Sequence, residues 1–164
     1  MPETVQIYTL FITAPGDAME MVRNPVLFIT QEWNRIQGES IKTRVEVRDW
    51  ASHSFPEYGK RPQASINKRV LNKSDFVLAA YWTRFGTAAG MAPPGTEEEI
   101  IRANKRKLPV MLYFVDKPVR PSELNQAQYR RVKNFRKAHV TKDSIKHLFR
   151  KKTLSGNSEF ICRI

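Results

Sequence analysis

The sequence predicts one three-layer α/β domain on a mainly parallel, flavodoxin-like sheet, and three observations point to it. Runs rich in Val, Ile, Phe and Tyr at residues 5–13, 43–49, 75–81 and 108–114 alternate with longer amphipathic segments. That alternation is the pattern of βαβ units. At 164 residues and 41% hydrophobic content the chain can bury one core without disulfides or metal. Right-handed crossovers with short connections then set strand one between strands two and three, giving the order 2-1-3-4. Phe160, Ile161 and Cys162 read either as a fifth, edge strand or as a frayed tail.

Each element has a local reason. After strand 5–13, the turn Ala14-Pro15-Gly16 leads to a helix with Asp17 as expected N-cap, running to about Gln37 and stopped by Gly38. Its expected buried face holds Val26, Phe28, Ile29, Trp33 and Ile36. Pro62 suits a first helical position and opens a second helix carrying Ile66, Val70 and Leu71. A third helix follows Gly95, and residues 124–139 form a fourth around Tyr129, Val132 and Phe135. Residues 141–152 give a fifth around Ile145, Leu148 and Phe149. The domain is thus expected over residues 1–140, with 141–164 as a basic C-terminal helix and tail.

Composition narrows the function classes. The single cysteine, Cys162, excludes an internal disulfide, and no apolar run reaches the length of about 18 residues that a membrane span needs. With no export leader either, a cytoplasmic protein without membrane contact is expected. His53, His139 and His147 have no metal-ligand spacing with that cysteine, so no metal site is expected. Net charge is +12, and residues 117–152 supply most of it, with twelve Lys or Arg against Glu123 and Asp143. Such a stripe suits nucleic acid or another anionic partner, although a basic run is more often a solvated helix face.

Ligands of open parallel sheets bind beyond the carboxyl ends of the strands, at the switch point between strands one and three. Three loops converge there: residues 13–17, 82–94 and 50–61. In the first, Ala14, Pro15, Gly16 and Asp17 are candidate contacts to ribose or phosphate. In the second, Trp82 or Phe85 would stack a base and Arg84 would reach a phosphate, while Gly86 and Thr87 let backbone amides approach. From the third, Arg61 is a candidate phosphate contact, Trp50 a base contact, and Asp49 a ribose contact or an ion-pair partner of Arg44 or Arg48. Asp75, at the opposite end of its strand, is expected to cap or turn. The glycine-rich loop lacks the P-loop lysine and the dinucleotide glycine spacing.

Gly95 and Thr96 open a helix whose first turn holds Glu97, Glu98 and Glu99. One reading is a capping box, with Thr96 as N-cap and Glu99 reaching back to its amide. The other is chemistry, because one buried carboxylate can stabilise or trap an oxocarbenium-like ribosyl centre. On a helical wheel Glu98 points away from the Ile100/Ile101/Ala103 face, whereas Glu97 and Glu99 flank it. Spacing does not choose between those two.

The run from Ser74 to Ala80, the passage Gly95-Thr96-Glu97-Glu98-Glu99-Ile100-Ile101-Arg102-Ala103 and the following Leu108-Pro109-Val110 are similar to nucleoside 2-deoxyribosyltransferases. The resemblance implies that Glu99 is the nucleophilic glutamate. The runs Phe11-Ile12-Thr13-Ala14-Pro15-Gly16-Asp17 and Gly59-Lys60-Arg61-Pro62-Gln63, with Trp82, Arg84, Phe85, Gly86 and Thr87, resemble an uncharacterised TIR-like family over about residues 5–138. Members are modules of bacterial defence or NTPase proteins, and TIR-like relatives either cleave the nicotinamide glycosidic bond of NAD or only mediate assembly. Two positions depart from the pattern. Pro94 stands where the relatives usually have a small hydroxyl residue, which puts a sugar contact in question, and Met21 stands where they usually have an arginine, with Arg23 nearby as a substitute.

The resulting expectation is a hydrolase cleaving the N-ribosyl bond of NAD or a related nucleotide in defence signalling, with the nucleotide as substrate and no resident cofactor. The competing expectation is a non-catalytic TIR-like module that self-associates or binds nucleic acid through residues 117–152.

Overall fold

A computed structural model describes residues 4–49, 70–87 and 94–139. Outside the described residues lie the expected helix start at Pro62, the helix at 141–152, the strand at 160–162, and Trp50 and Arg61. Four strands, β1 (Gln6–Thr13), β2 (Thr43–Arg48), β3 (Phe76–Tyr81) and β4 (Val110–Phe114), form an all-parallel sheet in the order β2-β1-β3-β4. The α-helices bounded within the described residues are α1 (Gly16–Trp33), α2 (Gly95–Lys105) and α3 (Gln126–His139). Both the fold class and the strand order follow the expectation from sequence.

The central strands are buried on both faces, which is why they read as continuous apolar runs. On one face Leu10, Ile12, Leu78 and Ala80 pack against Ala18 and Met19 of α1, with Val22 and Val26 at the margin. On the other, Phe11 and Val77 meet Ala103 of α2, and Ala79 and Tyr81 meet Ile100 of α2 and Val132 of α3. Three layers result, with α1 on one side and α2 and α3 on the other.

The expected buried face of α1 needs correction. Phe28 is 65% exposed, because it lies about 200° around the helix from Val26, on the far side from the sheet. Ile36 is 61% exposed, because residues Asn34–Gly38 widen into a π-helical turn that rotates it off the core stripe. Within that turn Asn34 accepts from the Val45 amide at 2.8 Å and donates to the Val45 carbonyl at 2.9 Å, covering the outer edge of β2. Gly38 ends the turn where the backbone runs against β2. A Cβ there would stand 2.5 Å from the Thr43 carbonyl oxygen. Gly38→Ala is therefore expected to destabilise the domain by about 2 kcal/mol, read as a thermal midpoint lowered by roughly 6 °C. An unchanged midpoint would show that the turn relaxes freely.

Candidate active site

The carboxyl ends of β1 and β3 carry the site. Thr13 is the last residue of β1, and its side chain shares the α2 face with Phe11 by strand alternation. α2 begins at Gly95 with Pro94 as N-cap and no capping side chain. The Pro94 carbonyl accepts from the Glu98 amide at 2.9 Å. Thr96 lies inside the first turn, so the capping box does not form. Glu99, one turn into α2, reaches down to the strand end, where the Thr13 hydroxyl donates to its Oε2.

Glu99 is 2% exposed, and its Oε1 has no hydrogen-bond partner among the described residues. Burial pushes its carboxyl up to about 7; the Thr13 hydrogen bond opposes this, Glu98 adds to it and Arg102 opposes it. The group therefore titrates near neutrality, where a proton-transfer or charge-stabilising carboxylate is useful. Of its neighbours, Glu98 is held by Arg102, whose Nη2 donates at 2.6 Å along the helix surface, and Glu97 is half-buried. Glu98 thus lies along the helix surface, away from the buried position of Glu99.

Asp17 does not cap α1. Pro15 is the N-cap, its carbonyl accepting from the Ala18 and Met19 amides at 3.0 and 2.8 Å. Asp17 sits inside the first turn and turns its carboxylate toward the loop after β3. Its Oδ2 accepts from the Thr83 amide at 3.0 Å, the Thr83 hydroxyl at 2.8 Å and the Arg84 amide at 3.0 Å. Its Oδ1 is buried without a partner among the described residues. From the opposite layer, Gln128 of α3 takes the next two amides of the loop, Phe85 at 2.9 Å and Gly86 at 3.1 Å, on its Oε1.

That double anchoring corrects the expected role of the glycine-rich loop. The amides of Thr83, Arg84, Phe85 and Gly86 are all occupied, so they do not serve as an anion cradle. Gly86 is required for another reason: its φ is +98°, and a Cβ would meet Pro94 Cβ at 3.2 Å. Phe85 is buried in an aromatic cluster, stacked on Tyr81 at 5.0 Å with Arg131 over its ring at 4.6 Å. The ring packs the core and does not offer a face to a base. Trp82 packs on the α1 side, and its Nε1 donates to the Lys117 carbonyl at 3.0 Å.

The remaining candidates are spread around the same end of the sheet. Ala14 is buried in the α1-side core, while Gly16 is exposed and a Cβ there would meet nothing within 4 Å. Arg84 and Thr87 are exposed, Thr96 is buried, and Gly95 is half-buried. Asp49, at the end of β2, is buried and paired with Arg23 of α1, Nε to Oδ2 at 2.6 Å, in place of Arg44 or Arg48. Asp75 lies at the other end of the sheet, where its Oδ2 accepts from the Thr9 amide at 2.7 Å.

Sequence reasoning placed Thr13 at this end of the sheet without naming it as the partner of Glu99, and it passed over Gln128. Thr13 carries a signal, since a hydroxyl residue closing an apolar strand must find a partner when buried. Gln128 carries none, because its role depends on where α3 docks. Among the described residues no group of three His, Cys, Asp or Glu side chains suits a metal ion, and no helix is long and apolar enough to cross a membrane.

Residues 11–158 match a family of domains described as domain of unknown function (DUF4062). No curated protein and no solved structure matches the chain.

Proposed function

The chain belongs to this DUF4062 family, whose description assigns no chemistry, and from the geometry of Glu99 we propose a nucleotide N-glycosidase acting on NAD or a related nucleotide. The observation that carries the reading is a buried carboxylate at the switch point with one oxygen held by Thr13 and the other without a partner among the described residues. Departure of the base leaves positive charge on the ribosyl C1′ and ring oxygen. A carboxylate fixed in a poorly solvated position stabilises that charge, or bonds to C1′ until water releases the sugar. Thr13 sets the direction of Glu99, and Asp17 holds the loop carrying Arg84, whose exposed side chain is free to meet a phosphate. The resemblance of the Gly95–Ala103 motif to deoxyribosyltransferases, read from the sequence alone, suggests the same role for Glu99, and we place it in a cytoplasmic defence protein that self-associates.

The test is incubation of the protein with NAD and with nucleosides, followed by chromatography for nicotinamide or free base. Release is expected, with a rate that rises with pH toward a plateau above about 7 as Glu99 loses its proton. No release from any of them would sink the enzymatic reading.

A second function has its own support. α3 holds Arg130, Arg131, Lys133, Arg136 and Lys137, all exposed, with no acidic residue in the helix and no carboxylate partner for them among the described residues. Arg131 and Arg136 lie over Phe85 and Phe114. We propose that this face meets the phosphates of nucleic acid, with binding that weakens steeply as salt rises. Salt-independent binding, or none, would leave α3 a solvated face.

A further inference from the structure

Tyr81 holds a buried polar group that the described residues do not use. It is the last residue of β3, fully buried, and its hydroxyl has no hydrogen-bond partner among the described residues. Phe85 stacks on the ring at 5.0 Å, Phe135 tilts against it at 5.3 Å and Phe114 lies at 6.1 Å. These contacts need only the ring. A phenylalanine would make them all, and a buried hydroxyl that finds no partner among the described residues adds nothing to the packing.

Its position ties it to Glu99. Thr13 of β1 registers with Ala79 of β3, and strand alternation returns Tyr81 to the same face two residues further on. Ile100, which follows Glu99 in α2, packs in the same cluster as Tyr81. Thr13, Tyr81 and Glu99 therefore share one layer at one end of the sheet, and two polar atoms in that layer, Glu99 Oε1 and Tyr81 Oη, have no partner among the described residues.

We propose that the Tyr81 hydroxyl is a second ligand-contacting group of the Glu99 site, donating a hydrogen bond to a ribosyl oxygen while Glu99 Oε1 accepts from a ribosyl hydroxyl. The inference rests on the reading of Glu99 as a ribosyl site and adds the chemistry the sugar must present, an acceptor beside a donor. Burial, with Glu97 and Glu99 adding their negative charge, raises the phenol well above its ordinary range despite Arg131, so the group stays protonated and able to donate.

Tyr81→Phe tests it, because the substitution removes one oxygen and keeps the ring. Three quantities are measured on the full chain: the thermal midpoint, its rise on adding ADP-ribose, and base release from NAD. The expected result is a midpoint raised by about 3 °C, loss of the ADP-ribose shift, and base release lowered about tenfold or more. A lowered midpoint, an ADP-ribose shift equal to that of the unmodified protein, or no shift in the unmodified protein would each overturn the contact. If ADP-ribose stabilises the unmodified protein but not Tyr81→Phe, and neither releases base, the contact stands and the glycosidase reading falls. If Glu99→Gln is silent while Tyr81→Phe is fully active, the glycosidase reading stands and the contact falls.

Discussion

Glu99→Gln is expected to lower base release by about a thousandfold, the scale of losing the principal charge-stabilising group of such a site. The amide matches the carboxylate in shape but can neither balance a ribosyl cation nor bond to C1′. The same variant has a second signature that does not depend on any substrate. The folded-state carboxyl is raised to about 7 from an ordinary 4.5, so between those values the folded protein binds more protons than the unfolded chain. Stability associated with Glu99 is therefore fully present below about pH 4.5 and is lost as pH rises through about 7, a loss of roughly 3 kcal/mol. Glutamine does not titrate. Denaturant unfolding should show the variant gaining about 3 kcal/mol on the unmodified protein between about pH 4 and about pH 8. Parallel pH curves for the two proteins would mean that Glu99 is solvated in the folded state. Activity retained by the variant would remove the carboxylate from the chemistry.

Asp17→Ala is the second large effect. The substitution strands the Thr83 amide, the Thr83 hydroxyl and the Arg84 amide, all of which now donate to one oxygen. Losing a charged acceptor shared by three donors is expected to cost about 3 kcal/mol, a thermal midpoint lowered by roughly 9 °C. Asp17→Asn, which can still present one oxygen to the three donors, should fall between the two. Alanine and asparagine behaving alike would show that the charge matters and the geometry does not. A midpoint unaffected by alanine would show that water replaces the carboxylate, and that the loop after β3 does not depend on α1.

Much of the architecture was legible in the sequence because strand periodicity and crossover geometry are local or nearly so. All four strand runs begin within two residues of their observed starts, and β1 lies between β2 and β3 as the connection rules require. The helix starts were less legible for a physical reason. Both Asp17 and Thr96 follow a proline or glycine and have the side chains of good caps, yet each helix begins earlier, with Pro15 or Pro94 at the N-cap. That frees Asp17 to work across the molecule, a long-range use that no local pattern encodes. The exposed Phe28 and Ile36 were missed because a regular helical wheel presumes both the facing of the helix and an unbroken period. In the candidate site, Glu99 could be selected by resemblance, but its hydrogen bond to Thr13 joins residues 86 positions apart. The aromatic role of Phe85 was similarly hidden, since a phenylalanine beside glycine reads alike as a loop contact or as core.

The loop from Thr83 to Gly86 is fastened from both outer layers, by Asp17 of α1 on one side and Gln128 of α3 on the other. A segment tied in that way has no hinge of its own. Any opening that exposes its amides must draw away an outer helix or break bonds to both, so the loop belongs to the same cooperative unit as the helices that flank it. The outer surface of α3, where the cations lie, is thereby fastened through Gln128 to the loop after β3.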